Sequence, residues 1–188
     1  MIEGFDPFQN RLCRDVRNEL SESVIETIYS GAIAPSQAAA EKYLSQGVEP
    51  YIRSYIHNRI VRYTTVLSQI QSAKVETTEI YAIAVLLWDQ ELFFEVHEWL
   101  EEKWHKSMGA EKFVLQALIR AAGTYIHFEY GRKTGGEKMA KKAVSGLISH
   151  KTSVPEFFNI DLLIAKLSAF DPIPPKLGAA SWKKRNLL

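Results

Sequence analysis

Phe93-Phe94-Glu95-Val96-His97-Glu98-Trp99-Leu100-Glu101-Glu102-Lys103-Trp104 decides how this chain is read, because it sets ionisable groups where a helix should be apolar. At 100° per residue, Phe93, Leu100 and Trp104 share a narrow sector, with His97 and Glu101 inside or beside it and Phe94 and Glu98 on its flank. This placement predicts that His97 and Glu101 are buried, with Phe93, Phe94, Leu100 and Trp104 packed around them. A buried carboxylate has to be paired, hydrogen-bonded, protonated or metal-bound, since even an uncharged polar group left bare costs roughly 2–7 kcal/mol. The stretch therefore marks a candidate centre.

Working outward, Ser107-Met108-Gly109 is a short connection that favours an antiparallel partner. The core is thus a helix pair over about 92–106 and 110–130. The second helix carries small residues at Ala117, Ala121, Ala122 and Gly123, and a polar stripe of Gln116, Arg120 and His127 with Thr124 beside it. Upstream, Thr78 caps a nearly all-apolar helix to about Trp88, and Asp89-Gln90 forms a bend. Downstream, Gly131 to Gly136 reads as a loop, and a basic helix follows to about His150. Pro155 breaks that helix, Ile160 to Leu167 makes a last short one, and Asp171-Pro172-Ile173-Pro174-Pro175 starts an extended tail that straps across the bundle.

The N-terminal part is also helical. Asp6-Pro7 starts a helix to about Asn18, and Ser21 to Val24 starts another that ends at Gly31. Ala34-Pro35 opens a third, ending at Gly47, and Glu49-Pro50 a fourth, running to about Gln71. No strand-like alternation of useful length occurs. The expected fold is an all-α multi-helix bundle. It has an N-terminal helical extension (1–73) packing on a core (78–170) and a C-terminal tail (171–188), the whole forming one structural domain.

Composition narrows the partners. Of 188 residues, 46% are hydrophobic and 24% charged, as in ordinary globular proteins. Lys+Arg 23 against Asp+Glu 22 leaves a net charge of +1, so no global field recruits nucleic acid or an anionic membrane. The single cysteine, Cys13, excludes an internal disulfide framework and fits a reducing compartment. No apolar run approaches the roughly 20 residues of a spanning helix, and Met1 to Pro7 lacks the basic start of a signal peptide. A cytoplasmic location without membrane attachment is expected, with oligomeric state, a homo-oligomer included, left open.

His97 and Glu101 at i and i+4 can share a divalent metal from one helix, but two ligands are too few, so His127, Gln116 or Glu98 would have to complete the shell. The stretch is not the zinc-protease motif, because Glu101 stands where its second histidine would be, and Glu98-Trp99-Leu100-Glu101 lacks the histidine of di-iron bundles. Without a metal, Glu101 could orient His97 as a general base, or Arg120 could neutralise Glu98 or Glu101. A third reading is a closed polar network of His97, Glu101, Gln116 and Arg120 that only fixes helix packing. No nucleophile elbow, phosphate-cradling loop or dinucleotide fingerprint is present.

The pattern Phe-Phe-Glu-x-His-Glu-x-x-Glu-x-x-Trp, followed by Gln116-Ala117-Leu118-Ile119-Arg120-Ala121-Ala122, resembles the family called domain of unknown function 309 over about Tyr81 to Ala143. The resemblance implies a small all-helical bundle and brings no established activity, substrate or partner. The family motif falls on Glu95, His97, Glu98, Glu101, Trp104 and Gln116. Where the family's second helix reads Gln-Gly-x-Ile-Gln, this chain has Ala117 and Arg120. A cation at 120 disfavours a neighbouring divalent metal and favours ion pairing or an anionic ligand.

The leading expectation is a helical protein whose buried polar centre (His97, Glu98, Glu101, Gln116, Arg120) binds a small ligand or a metal ion held by His97, Glu101 and His127. The alternative is a helical scaffold or interaction module, with the aromatic-rich helix from Pro50 to Gln71 as partner surface. Nucleic-acid binding by Arg11, Arg14, Arg17, Arg53, Arg59 and Arg62, clamped by Trp182-Lys183-Lys184-Arg185, is disfavoured by the neutral charge balance.

Overall fold

The computed structural model describes residues 4–178, which form eight α-helices and one 3-10 turn, with no strand among the described residues. The expected clamp Trp182-Lys183-Lys184-Arg185 lies outside them. The chain falls into two compact units, Met1–Thr77 and Thr78–Leu188. No helix among the described residues is long and apolar enough to cross a membrane.

In the first unit, α1 (Arg11–Ser30), α2 (Ala34–Leu44) and α3 (Pro50–Ala73) pack pairwise against one another. Two details differ from the sequence reading. Asp6 does not cap a helix: its carboxylate accepts from Phe8 N–H at 2.8 Å in a turn, and the cap of α1 is Asn10, whose side chain accepts from Cys13 N–H at 3.2 Å. The break near Asn18 is also absent. Val16, Leu20, Val24 and Ile28 continue one buried stripe at four-residue spacing, and Ser21 and Ser23 return their hydroxyls to carbonyls of their own helix rather than capping a new one. Gly31, at φ 68°, closes α1 with its N–H on Thr27 O. Buried hydroxyls of Thr27 and Ser36, 2.8 Å apart, tie α1 to α2.

The second unit runs α4 (Ile80–Asp89), α5 (Phe93–Lys106), α6 (Gly109–Glu129), α7 (Lys133–Ser149) and α8 (Ile160–Ser168). Ala82 to Trp88 of α4 are all buried, as a nearly all-apolar helix requires. Trp99 anchors α5 to α4 by donating Nε1–H to Ile80 O at 3.0 Å. Two residues, Ser107 and Met108, turn the chain from α5 into α6.

The segment 131–136 is not a loop. Only Tyr130, Gly131 and Arg132 separate α6 from α7, because Gly135 and Gly136 are spent on close approach. A Cβ on Gly135 would sit 2.6 Å from the His127 ring, and one on Gly136 would overlap the Phe128 ring. Gly123 meets Met139 and Gly146 meets Ala117 in the same way, so facing pairs descend α6 as they ascend α7. Small residues let these two antiparallel helices approach more closely than side chains of ordinary size allow.

The segment after α8 straps across the end of α4. Pro175 O accepts from Trp88 Nε1–H at 2.9 Å, and Asp89 carboxylate oxygens accept from Leu177 N–H at 2.6 Å and Gly178 N–H at 3.3 Å.

Candidate functional site

The buried arc of α5 is Leu92, Phe93, Glu95, Val96, Trp99 and Leu100, with Lys103 only 14% exposed along its side chain. At 100° per residue this arc is centred near Val96 and Trp99, rotated roughly 80° from the sector that Phe93, Leu100 and Trp104 suggest. His97 and Glu101 therefore come to the rim, not the interior. Their side chains are 27% and 42% exposed, and that of Glu98 is 30% exposed. The centre expected to be buried is an open polar face.

On that face three groups converge. His97 Nδ1 lies 3.1 Å from Glu98 Oε1 and 3.7 Å from Glu101 Oε2. A carboxylate has no proton to give, so Nδ1–H is the donor in these contacts. Ligand-capable atoms of His97, Glu98 and Glu101 all lie within 4.8 Å of one another. The Phe94 ring runs parallel to the imidazole, centroids 6.1 Å apart, and shields one side of it.

The expected partners from α6 do not arrive. Ala117, Gly123, His127 and Phe128 face α7. By helical periodicity, Gln116 and Arg120 fall within the same arc. Among the described residues no hydrogen bond or ion pair joins either of them to His97, Glu98 or Glu101. By periodicity Arg120 thus stands on the α7 side of α6. His127, the expected third ligand, lies outside the convergent group. It stands two turns beyond Arg120 with its ring over Gly135, and burial, then the Arg132 charge, hold its pKa below the ordinary histidine value.

Phe93 and Leu100 are core residues. Phe93 packs edge-on to Trp88 with centroids 5.1 Å apart and lies 5.4 Å from Tyr125. Trp104 is half-buried, and Lys112 Nζ lies 4.9 Å from its ring centroid. The acid that is sealed is Glu95, at 0% exposure. Its position among Leu92, Val96 and Trp99, at −3, +1 and +4, carries the signal that could have found it.

The second unit's motif has a counterpart among known families. Residues 81–139 match the family model of a domain of unknown function, DUF309. No curated protein and no solved structure matches the chain. The DUF309 segment spans α4 to the first part of α7 and contains Glu95, His97, Glu98, Glu101 and the α6 stripe. The first unit, with α1 to α3, lies outside it.

The arginines proposed for nucleic acid do not form one surface. Arg59 is buried at 4% exposure, its guanidinium 4.8 Å from the Tyr55 ring centroid, and Arg11 lies 3.7 Å from Asp15 on its own helix.

Proposed function

We propose that the DUF309 segment of this chain binds a divalent cation on the open face of α5, through His97, Glu98 and Glu101. The observation that supports it is the convergence of an imidazole and two carboxylates to within 4.8 Å on consecutive turns of one helix. A cation among these atoms takes the place of the proton His97 shares with the carboxylates. Three protein ligands from one face leave the remaining positions to water or to a bound anion, the open arrangement of a site that acts on or recruits a ligand. One nitrogen and two oxygens suit a first-row metal such as Mn²⁺ or Zn²⁺ better than Ca²⁺.

The reading as a closed structural network has less support, since Gln116 and Arg120 stand apart from His97 and Glu101. Titration of the chelator-treated full chain with Mn²⁺, followed by electron paramagnetic resonance, tests the proposal. One saturable site is expected, weakened at least about tenfold by His97→Ala and by Glu101→Gln. It weakens as pH falls, because the metal competes with a proton. Binding that ignores both substitutions, or no binding at all, overturns the reading.

A further inference from the structure

The first unit, which the family match leaves unexplained, carries two adjoining grooves on either side of α2. The groove between α2 and α3, about 620 Å³, is lined chiefly by apolar groups, with Leu44 and Ile60 in it and Val61 66% exposed at its edge. The groove between α1 and α2, about 590 Å³, is edged by Asp15, Glu19, Glu22 and Glu26. Ala38 lines both, so at that point the crest of α2 between them is no higher than a methyl group.

The acids are spaced four, three and four residues apart, which sets them in one row along α1 over roughly 16 Å. Glu19 is occupied: it accepts from Lys42 Nζ and Tyr43 Oη, each at 2.7 Å. Glu22 and Glu26 are exposed and have no cationic partner among the described residues. Arg11 lies in line with the row and pairs with Asp15 at 3.7 Å, while Arg17 falls on the opposite flank of α1 by helical periodicity, so the uncompensated acids are Glu22 and Glu26. An apolar trough on one side of α2 and two unpaired carboxylates, Glu22 and Glu26, on the other have the two-sided character of a surface for an amphipathic helix with one basic flank.

We infer that this surface docks a basic amphipathic helix lying along α2. Its apolar side chains enter the trough beside Leu44, Ile60 and Val61, and its lysines or arginines reach Glu22 and Glu26. The 11 residues of α2 extend about 16 Å, matching the acid row and about three turns of an incoming helix. The low crest at Ala38 allows one helix to reach both grooves at once.

A fluorescein-labelled synthetic helix of Leu and Lys in amphipathic order, about five turns long, is the probe for anisotropy with the full chain. Saturable binding is expected. The same residues in scrambled order should bind at least about tenfold more weakly, and a Glu-for-Lys version should not bind. The double variant Glu22→Lys/Glu26→Lys should weaken binding about tenfold or more and abolish its salt dependence, whereas Val61→Asp should weaken it with the salt dependence retained. All three positions are exposed, and unchanged thermal melting of each variant confirms that folding is intact. Equal affinity for the scrambled or acidic peptide, or insensitivity to both variants, overturns the inference. So does a concentration-dependent dimer, seen in sedimentation and dispersed by Val61→Asp, because a second copy would then be the occupant.

Discussion

Helix α6 has two flanks that solve the packing problem in opposite ways. Toward α7 the contacts are made by absence: Gly123, Gly135, Gly136 and Gly146 each leave out a side chain that would strike its neighbour. On the hairpin side, large rings fill the space, with Trp88, Phe93 and Tyr125 at 5.1–5.4 Å from one another, and the polar residues of α5 are displaced to the open edge. Where the helices are closest, composition is constrained by volume. Where the imidazole and carboxylates gather, it is not, and this difference leaves the α5 face open to solvent.

The sharpest way to break the comparison is Gly146→Ala. The new Cβ would lie 2.8 Å from the Ala117 Cβ, an atom fixed directly to its backbone, so the helices must separate. Overpacking in the upper part of the usual range, about 2–3 kcal/mol because a backbone-fixed atom cannot rotate away, outweighs the roughly 1 kcal/mol gained from helix propensity, for a net loss of about 1–2 kcal/mol in urea denaturation. Adding Ala117→Gly should recover most of that loss, since it returns the missing space from the other side. A Gly146→Ala chain as stable as the parent would show that the seam yields. Gly123→Ala serves as the milder probe on the same flank. Its Cβ meets the Met139 sulfur at 2.7 Å, and a thioether can rotate away, so the net change should stay within about 1 kcal/mol. If Gly123→Ala proved the more damaging of the two, the distinction between rigid and yielding neighbours would be wrong.

The open face predicts a smaller effect on stability. His97→Ala and Glu101→Gln remove partly exposed groups whose mutual contact is screened by solvent, and each should change unfolding free energy by no more than about 0.5 kcal/mol. Loss of several kcal/mol from either would return the cluster to a structural role.

These regions also separate what the sequence makes legible from what it hides. The all-α class, the α5–α6 hairpin and the strap after Asp171 follow from periodicity, a short Ser107-Met108 connection and a proline-rich segment, and the structure has all three. The orientation of α5 about its own axis does not follow. Leu92 lies before the quoted stretch, and Val96, Trp99 and the aliphatic part of Lys103 bury a side on which Glu95 and Glu102 also stand, so an apolar count over Phe93, Leu100 and Trp104 points roughly 80° away. The α6 stripe misleads for a related reason. Gln116 and Arg120 share a face with His127, but periodicity cannot say which of two neighbouring helices that face meets. Gly131 to Gly136 reads as a loop because glycine signals both a turn and a close approach. Only Gly131, at φ 66°, is used for the turn.

The finest test of the contrast uses His127, whose ring lies over Gly135 on the α6–α7 flank. Burial first, and the Arg132 charge second, lower its pKa from the ordinary 6.5, so the folded chain resists protonating it while the unfolded chain does not. As pH falls below about 6.5, the unfolded state binds the proton first, and stability declines until the folded-state pKa is passed; above 6.5 this contribution is fully present. Replacing His127 with Gln keeps a side chain of similar reach against Gly135 and removes the proton. Urea midpoints from about pH 7.5 to about 5.5 should therefore fall less steeply in His127→Gln than in the parent. The parent's slope should survive in full if His127 titrates as freely in the folded chain as in the unfolded one. In that case the α6–α7 seam would be open to water at this end, and the division between a sealed flank and an open one would stop short of Gly135.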